Sequence, residues 1–282
     1  VRPSRPALVL TDRNVEALLP PGLEAVPRHV IPAGEPSKSW AGLEALLLAL
    51  DAAGLDRDGQ LIAVGGGVVT DLGGLAASLH RRGLGWTAVP TSLLGQVDAA
   101  VGGKTAVNLG GGKNTVGSVH LPERVVVDPT VLGSLPVRHL RAGLAEVLKT
   151  LLIAGGPGWE AVCALERPED LASGSPRASA LIQACLDTKL ALVAADLHDT
   201  GERQLLNLGH TFGHAFEALA MPALLHGEAV GLGLLCAARQ AHGPGGALEA
   251  TCRELLGRWG LPLALEGQDP DALLAEMGRD KK

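Results

Sequence analysis

The chain has no tyrosine, two phenylalanines and four tryptophans, so aromatic rings make up only 2% of its 282 residues. Base-stacking platforms need such rings, and their scarcity argues against a single-strand nucleic-acid binder. Positive charge is short as well. The formal net charge is −6 and the isoelectric point about 5.8, which leaves no overall basic field for a phosphate backbone. Long apolar runs are missing: Leu43 to Leu50 is representative, far short of the roughly 20 residues that span a bilayer. No basic segment followed by an apolar one opens the chain, so nothing indicates export. The cysteines Cys163, Cys185, Cys236 and Cys252 lack CxxC spacing and read as buried reduced thiols. These absences point to a cytoplasmic protein that binds neither nucleic acid nor membrane.

Lysine is the most informative shortage. There are 17 arginines and seven lysines: Lys38, Lys104, Lys113, Lys149, Lys189, Lys281 and Lys282. In a chain so biased toward arginine, a retained lysine marks a place where a compact ammonium serves and a planar guanidinium does not. Hydrophobic residues reach 46%, enough for a sizeable core.

The first half alternates short apolar runs with helical patterns. Ala7–Leu10, His29–Ile31, Leu61–Val64, Trp86–Val89 and Val125–Val127 read as strands, and Asp71–His80 as a helix. That alternation predicts a mostly parallel sheet covered on both faces, a Rossmann-like α/β arrangement. After Pro136 convincing strands disappear, and 140–153, 177–195, 204–219, 227–240 and 247–259 follow helical periodicity. The expected organisation is an α/β domain over 1–137 and an all-helical domain over 138–282.

Gly65-Gly66-Gly67 follows the strand at 61–64. A strand, a glycine turn and a helix let backbone N–H groups approach a pyrophosphate at a helix N-terminus, although the GxGxxG fingerprint is absent. Gly102-Gly103-Lys104-Thr105 resembles the end of a Walker A loop, but Asp98 occupies the place of its first glycine. What remains is a glycine-rich segment from Gly102 to Gly117 carrying Lys104, Lys113 and Asn114, suited to phosphate or carboxylate oxygens. His210 and His214 share a helix face, His226 opens the next helix, and Glu146 lies one turn from Lys149. One carboxylate and two or three imidazoles suit a catalytic zinc site with an open position. Lys149, Lys189 and Arg203 complete a cationic set for an anionic substrate.

Taken together, these blocks resemble 3-dehydroquinate synthase, a family of the shikimate pathway of aromatic amino acid biosynthesis. They comprise Gly65 to Asp71, Pro90 to Leu94, Gln96 to Asp98, Val101 to Ala106, Gly112 to Asn114, Gly143 to Lys149, Asn207 to His214, and His226 to Glu228. They run in family order from about Asp12 to the terminal Asp280-Lys281-Lys282.

The resemblance implies an NAD-binding α/β domain followed by a helical metal domain. It implies Glu146, His210 and His226 as ligands of Zn2+, with Co2+ as the other ion admitted, and makes His214 a proton-handling or substrate-contacting residue. Asp98, Lys104, Asn114, Lys149, Lys189, Arg203, Asn207 and Lys281 are implied at the substrate. Gly66, Gly67, Val68, Asp71, Thr91, Ser92, Leu94, Lys104 and Lys113 are implied at NAD, with Glu35, Lys38 and Asp12 toward its adenosine end. The implied enzyme is a carbon–oxygen lyase acting on a sugar-acid phosphate. It converts 3-deoxy-D-arabino-heptulosonate 7-phosphate to 3-dehydroquinate and phosphate, with transient reduction of NAD. A homodimer is expected on the same ground.

Thr70, the Ala99-Ala100 pair and Asp199 depart from the family pattern. Val1 stands where a Met would open a chain, and family members continue beyond Lys282, so an incomplete chain is expected. Two other enzyme readings compete: a sibling cyclase such as a 2-deoxy-scyllo-inosose synthase, and a metal-dependent alcohol or glycerol dehydrogenase. Lys189 with Arg203 favours a carboxylate-bearing substrate over the first. The Glu–His–His set disfavours the second.

Overall fold

Along Leu61–Val64 consecutive side chains point to opposite sides of a sheet, and all four are buried. This is the pattern of a central strand enclosed on both faces. The computed structural model describes residues 1–110, 112–172 and 174–279. Its contacts divide the chain into two units, one of residues 1–128 and one beginning at Pro129.

The first unit is built on a five-stranded sheet of β1 (Ala7–Asp12), β2 (Arg28–Ile31), β3 (Gln60–Gly65), β4 (Gly85–Pro90) and, after the ribbon described below, β7 (Arg124–Val125). The strand order is β2-β1-β3-β4-β7, and every pairing is parallel. On one face Leu8, Leu10, Leu61, Ala63, Trp86 and Ala88 pack beneath helices α1 (Trp40–Ala52) and α2 (Gly67–Leu79). On the other, Val9, Ile62, Val64 and Val89 are covered by Leu23 with Val15, Leu19 and Val26. Val15 and Leu19 flank a short 3-10 turn, Glu16–Leu18, on that side.

Two local expectations need correction. Helix α2 starts at Gly67, four residues before Asp71, because Gly66 serves as its N-cap and its carbonyl accepts from Val69 and Thr70 N–H. The glycine-rich segment, to which the sequence assigned no strand, is an antiparallel ribbon of β5 (Lys104–Leu109) and β6 (Gly112–Val119). Thr105 and Val107 turn inward from it and are buried. Gly74 of α2 makes room: a Cβ there would sit 2.3 Å from Thr105 Cγ2.

The second unit is helical: α3 (Val137–Ala154), α4 (Gly156–Cys163), α5 (Pro176–Ala195), α6 (His210–Ala220), α7 (His226–His242), α8 (Ala247–Arg258) and α9 (Pro270–Arg279). Helix α3 is buried continuously from Ala142 to Leu151, with α4, α5 and α7 packed on it. The single helix expected over 204–219 is two pieces, a 3-10 segment Glu202–Asn207 and then α6. The break is Gly209, whose φ of +77° is left-handed.

Helix α5 corrects the reading of apolar length. Its 20 residues, with a mean hydropathy of 1.4 over the most apolar stretch, match a membrane span by length and composition. Ala178, Leu181, Ile182, Cys185, Lys189 and Val193 are nevertheless buried against neighbouring elements of this unit, so one face of the helix is packed. Cys185 and Cys252 are buried, and none of the four cysteines is in a disulfide. Burial pushes Cys252 up to about 11.

At the N-terminus of α7, Glu228 accepts from Leu225 N–H at 2.8 Å and takes a bidentate Arg138 at 2.7 and 2.8 Å. Burial would raise the Glu228 pKa, but Arg138 and the Leu225 N–H outweigh it and hold the carboxyl below its usual range. A carboxyl depressed in the folded state adds stability above its unfolded pKa, lost as pH falls through the folded one. Glu228→Gln is therefore expected to cost about 1–2 kcal/mol at neutral pH, Arg138 being half exposed. The difference from the parent should close below about pH 4 in denaturant titrations.

Candidate active site

Because the sheet is all parallel, β1, β3 and β4 end on one edge, and the turns after them gather there. This is where open α/β sheets take ligands. Asp12 closes β1 and accepts from Asn14 and Val15 N–H. After β3 comes the glycine turn, and no side chain caps the helix that follows it. A Cβ on Gly66 would lie 3.4 Å from Ser92 Oγ, and one on Gly67 3.3 Å from Ala99 Cβ and 3.7 Å from Leu94 Cδ2. Gly66, Gly67, Ser92, Leu94 and Ala99 therefore adjoin, with Thr91 N–H bonded to Gly65 O. Val68 follows in the first turn of α2. An uncapped N-terminus without acidic residues in its first turn, edged by glycine, fits a pyrophosphate.

Asp71, one turn into α2, forms an ion pair with Lys38. Burial pushes the Asp71 carboxyl up and Lys38 opposes it. Glu35 accepts from Asn108 Nδ2 at 2.7 Å, Asn108 Oδ1 accepts from Asn114 N–H at 2.9 Å, and Lys113 Nζ lies 3.9 Å from Glu35. Asn108, which sequence reasoning missed, thus links Glu35 to the ribbon carrying Lys104, Lys113 and Asn114, all three exposed. Asp98 is half-buried in a π-helical turn, Gly95–Ala99.

In the second unit the geometry is tight. Glu146 from α3, His210 from the start of α6 and His226 from the start of α7 bring one ligating atom each within 4.8 Å of one another. His210 and His226 Nε2 lie 3.5 and 3.4 Å from Glu146 Oε1. Lys149 Nζ lies 2.5 Å from Oε2, and both partners are essentially inaccessible. Neither buried oxygen of Glu146 receives an aligned hydrogen bond. Such an oxygen pair beside two imidazoles is a donor set that suits a divalent cation.

Glycines permit this convergence. A Cβ on Gly227 would stand 1.9 Å from Ala142 O on α3, and one on Gly233 would stand 2.0 Å from Gly209 O. Only bare backbone allows α7 so close to both.

Burial would raise the Glu146 pKa, but Lys149, His226 and His210 outweigh it and hold the carboxyl well below its usual range. Burial pushes His210 down to about 3 despite Glu146, keeping a neutral ring. Burial alone would lower His226 too, yet the Glu146 and Glu217 carboxylates beside it raise it to about 9. The His210 Nδ1–H donates to Leu208 O at 3.3 Å, which turns Nε2 toward Glu146.

His214 stands outside the ligating group, its ring 5.2 Å from that of His210 and 6.0 Å from that of His226. Lys189 and Arg203 are both buried, on α5 and the 3-10 segment packed against it. Arg203 Nη1 donates to Leu197 O at 2.6 Å. Asn207 ends that segment, and Asp199 sits before it with φ of +60°. Lys281 lies outside the described residues. Sequence reasoning also missed Glu217, whose signal was available: 210, 214 and 217 share one face of α6.

Known proteins bear out the resemblance. Residues 28–142 match the model of the 3-dehydroquinate synthase N-terminal domain and residues 143–282 that of its C-terminal domain. The chain is 44% identical to the 3-dehydroquinate synthase of Lactiplantibacillus plantarum, covering 99% of this chain and 80% of the relative. It is likewise 44% identical to that of Rhodopseudomonas palustris, covering 100% and 79%. Among solved structures it is similar to a 2-epi-5-epi-valiolone synthase of Streptomyces hygroscopicus with NAD+ and Zn2+ bound. There the identity is 30% and the TM-score 0.82, over 98% of this chain and 81% of that one. A 2-deoxy-scyllo-inosose synthase complexed with carbaglucose-6-phosphate, NAD+ and Co2+ matches at 26% and a TM-score of 0.83, over 98% and 78%. The probable glycerol dehydrogenase of Sinorhizobium meliloti, at 19% and 0.70, shares the fold. With both halves matched in order and near-complete relatives at 44% identity, the chain belongs to the 3-dehydroquinate synthase family.

Proposed function

We propose that this chain, an enzyme of the 3-dehydroquinate synthase type, converts its sugar-acid phosphate with NAD at the glycine turn and a divalent cation at Glu146, His210 and His226. The observation that carries the cation is the buried Glu146 carboxylate, with no aligned hydrogen bond to either oxygen and two imidazoles turned toward it. When bound, NAD supplies a reversible hydride acceptor and the cation, Zn2+ or Co2+, a Lewis acid for a hydroxyl oxygen.

The protein's own residues do the rest. Gly66, Gly67 and Val68 offer backbone N–H groups to the pyrophosphate, flanked by Thr91, Ser92, Leu94 and Lys113. Asp71, Lys38, Glu35 and Asp12 serve the nucleoside end. Arg203, a planar fork, is assigned with Lys189 and Asn207 to the substrate carboxylate, and Lys104, Asn114 and Asp98 are assigned as further substrate contacts. Lys149 places a compact positive charge near the reacting oxygens, and His214 takes or returns a proton at its ring nitrogen. Fixing both anionic ends aligns each step before it begins.

Phosphate release from 3-deoxy-D-arabino-heptulosonate 7-phosphate should require both NAD and a divalent cation, stop with a chelator, and proceed without NADH accumulating. NADH formed in step with substrate would instead show a dehydrogenase. No release from metal-loaded, NAD-saturated protein would overturn the reading in favour of a sibling cyclase.

A further inference from the structure

We infer that Glu217 is a positioning residue that fixes the tautomer and orientation of His226, and so sets the strength of the cation site; the inference rests on the proposed Glu146–His210–His226 set. Glu217 is on α6 and His226 opens α7, so their contact crosses between helices. Glu217 Oε2 lies 3.1 Å from His226 Nδ1, and Glu217 is only 4% exposed. A carboxylate only accepts, so Nδ1 carries a hydrogen whether the ring is charged or neutral, and the nitrogen that can give up its proton to a cation is the other one. The lone pair available to a cation is then on Nε2, the nitrogen facing Glu146.

The three ligands differ in how firmly they are held. Glu146 is wholly buried, and the His210 ring is 7% exposed with a backbone carbonyl on its Nδ1. The His226 ring is 31% exposed, and it is the one placed against a side-chain carboxylate. Burying a carboxylate as deeply as Glu217 is costly unless donors meet it, and the His226 Nδ1–H is such a donor. A carboxylate on the far nitrogen also makes the ligating nitrogen more basic, and losing such a partner weakens a metal site by about 10- to 100-fold.

The test compares the parent chain with Glu217→Gln, Glu217→Leu and His226→Ala. Zn2+ affinity is read by competition with a chromophoric chelator, geometry by the visible absorption of the Co2+ form, and folding by NAD affinity. Gln keeps an acceptor oxygen without the charge; Leu removes both. The expected order of affinity is parent, then Glu217→Gln down by less than about 10-fold, then Glu217→Leu down by about 10- to 100-fold with an altered Co2+ spectrum. NAD affinity should stay within about twofold in each. Parent-like Zn2+ affinity and Co2+ spectrum in both Glu217 variants would overturn the inference while leaving the cation site standing. Parent-like affinity in His226→Ala would instead overturn the ligand set itself. Should Glu217→Leu not fold, the graded loss in the near-isosteric Gln variant decides the matter.

Discussion

Glu146→Gln loses divalent-cation binding by at least about 100-fold and, free of metal, melts well below the parent. Binding suffers because the substitution removes the anionic member of a three-residue donor set. Folding suffers for a separate reason. The Lys149 ammonium is 1% exposed and sits against this carboxylate. Removing one partner of such a buried pair costs about 3–5 kcal/mol, whereas replacing both by apolar groups is often nearly neutral. The double variant Glu146→Gln/Lys149→Met should therefore regain most of the lost stability without regaining the cation. Chelator competition and thermal melts in excess chelator measure the two effects independently. Parent-like cation affinity in the single variant would remove Glu146 from the donor set.

The second large effect comes from a residue with no side chain. Gly227→Ala puts a methyl 1.9 Å from the carbonyl oxygen of Ala142. The obstacle is backbone in the middle of the unit, so no rotamer change relieves it and α7 must move off α3. Overpacking of a core commonly costs about 1–3 kcal/mol; a clash with fixed backbone belongs at or above the top of that range. Because His226 adjoins Gly227 and Ala142 lies one turn before Glu146, the same movement separates two of the three ligands, and cation affinity should fall with the melting temperature. Gly231→Ala is the control on the same helix. Its new methyl would meet Leu256 Cδ2 at 3.3 Å, the far end of a flexible side chain, and alanine gains about 1 kcal/mol in helix propensity. A melt of Gly227→Ala matching that of Gly231→Ala would refute the argument.

The legible part of this fold is the part written in periodicity. Short continuous apolar runs such as Leu61–Val64, set between helical patterns, announce a parallel sheet, and the 3.6-residue repeat after Pro136 announces helices. Glycine hides the rest. Gly66-Gly67 looks like a turn, yet α2 already starts at Gly67, and at Gly73 and Gly74 the missing side chains let that helix press on Ala63, Thr105 and Trp86. The ribbon 104–119 was masked in the same way: its inward residues Thr105 and Val107 are separated from their partners by glycines that read as loop. His210 and His226 come together from separate helices, so no local spacing relates them; the residues suggested one carboxylate with two or three imidazoles, and only the family resemblance chose Glu146, His210 and His226 among them. Glu217 is the opposite case, in register with His210 and His214 on one helix face but unnoticed among residues that looked structural. Asn108 gave no signal at all, since its role depends on a turn 73 residues away.

The sheet also says something about how this chain reaches its folded state. Strand β1 lies between β2 and β3, so Ala7–Thr11 must wait for Gln60–Val64 before both of its edges are paired. During synthesis β1, with its apolar Leu8-Val9-Leu10 centre, spends that interval with one edge open. Parallel partners cannot be supplied by a hairpin, and loop closure must precede any reward from pairing. Refolding of the first unit should therefore be paced by the arrival of β3 at β1. The exposed flank of Leu8, Val9 and Leu10 is where chains would associate wrongly if that arrival were delayed.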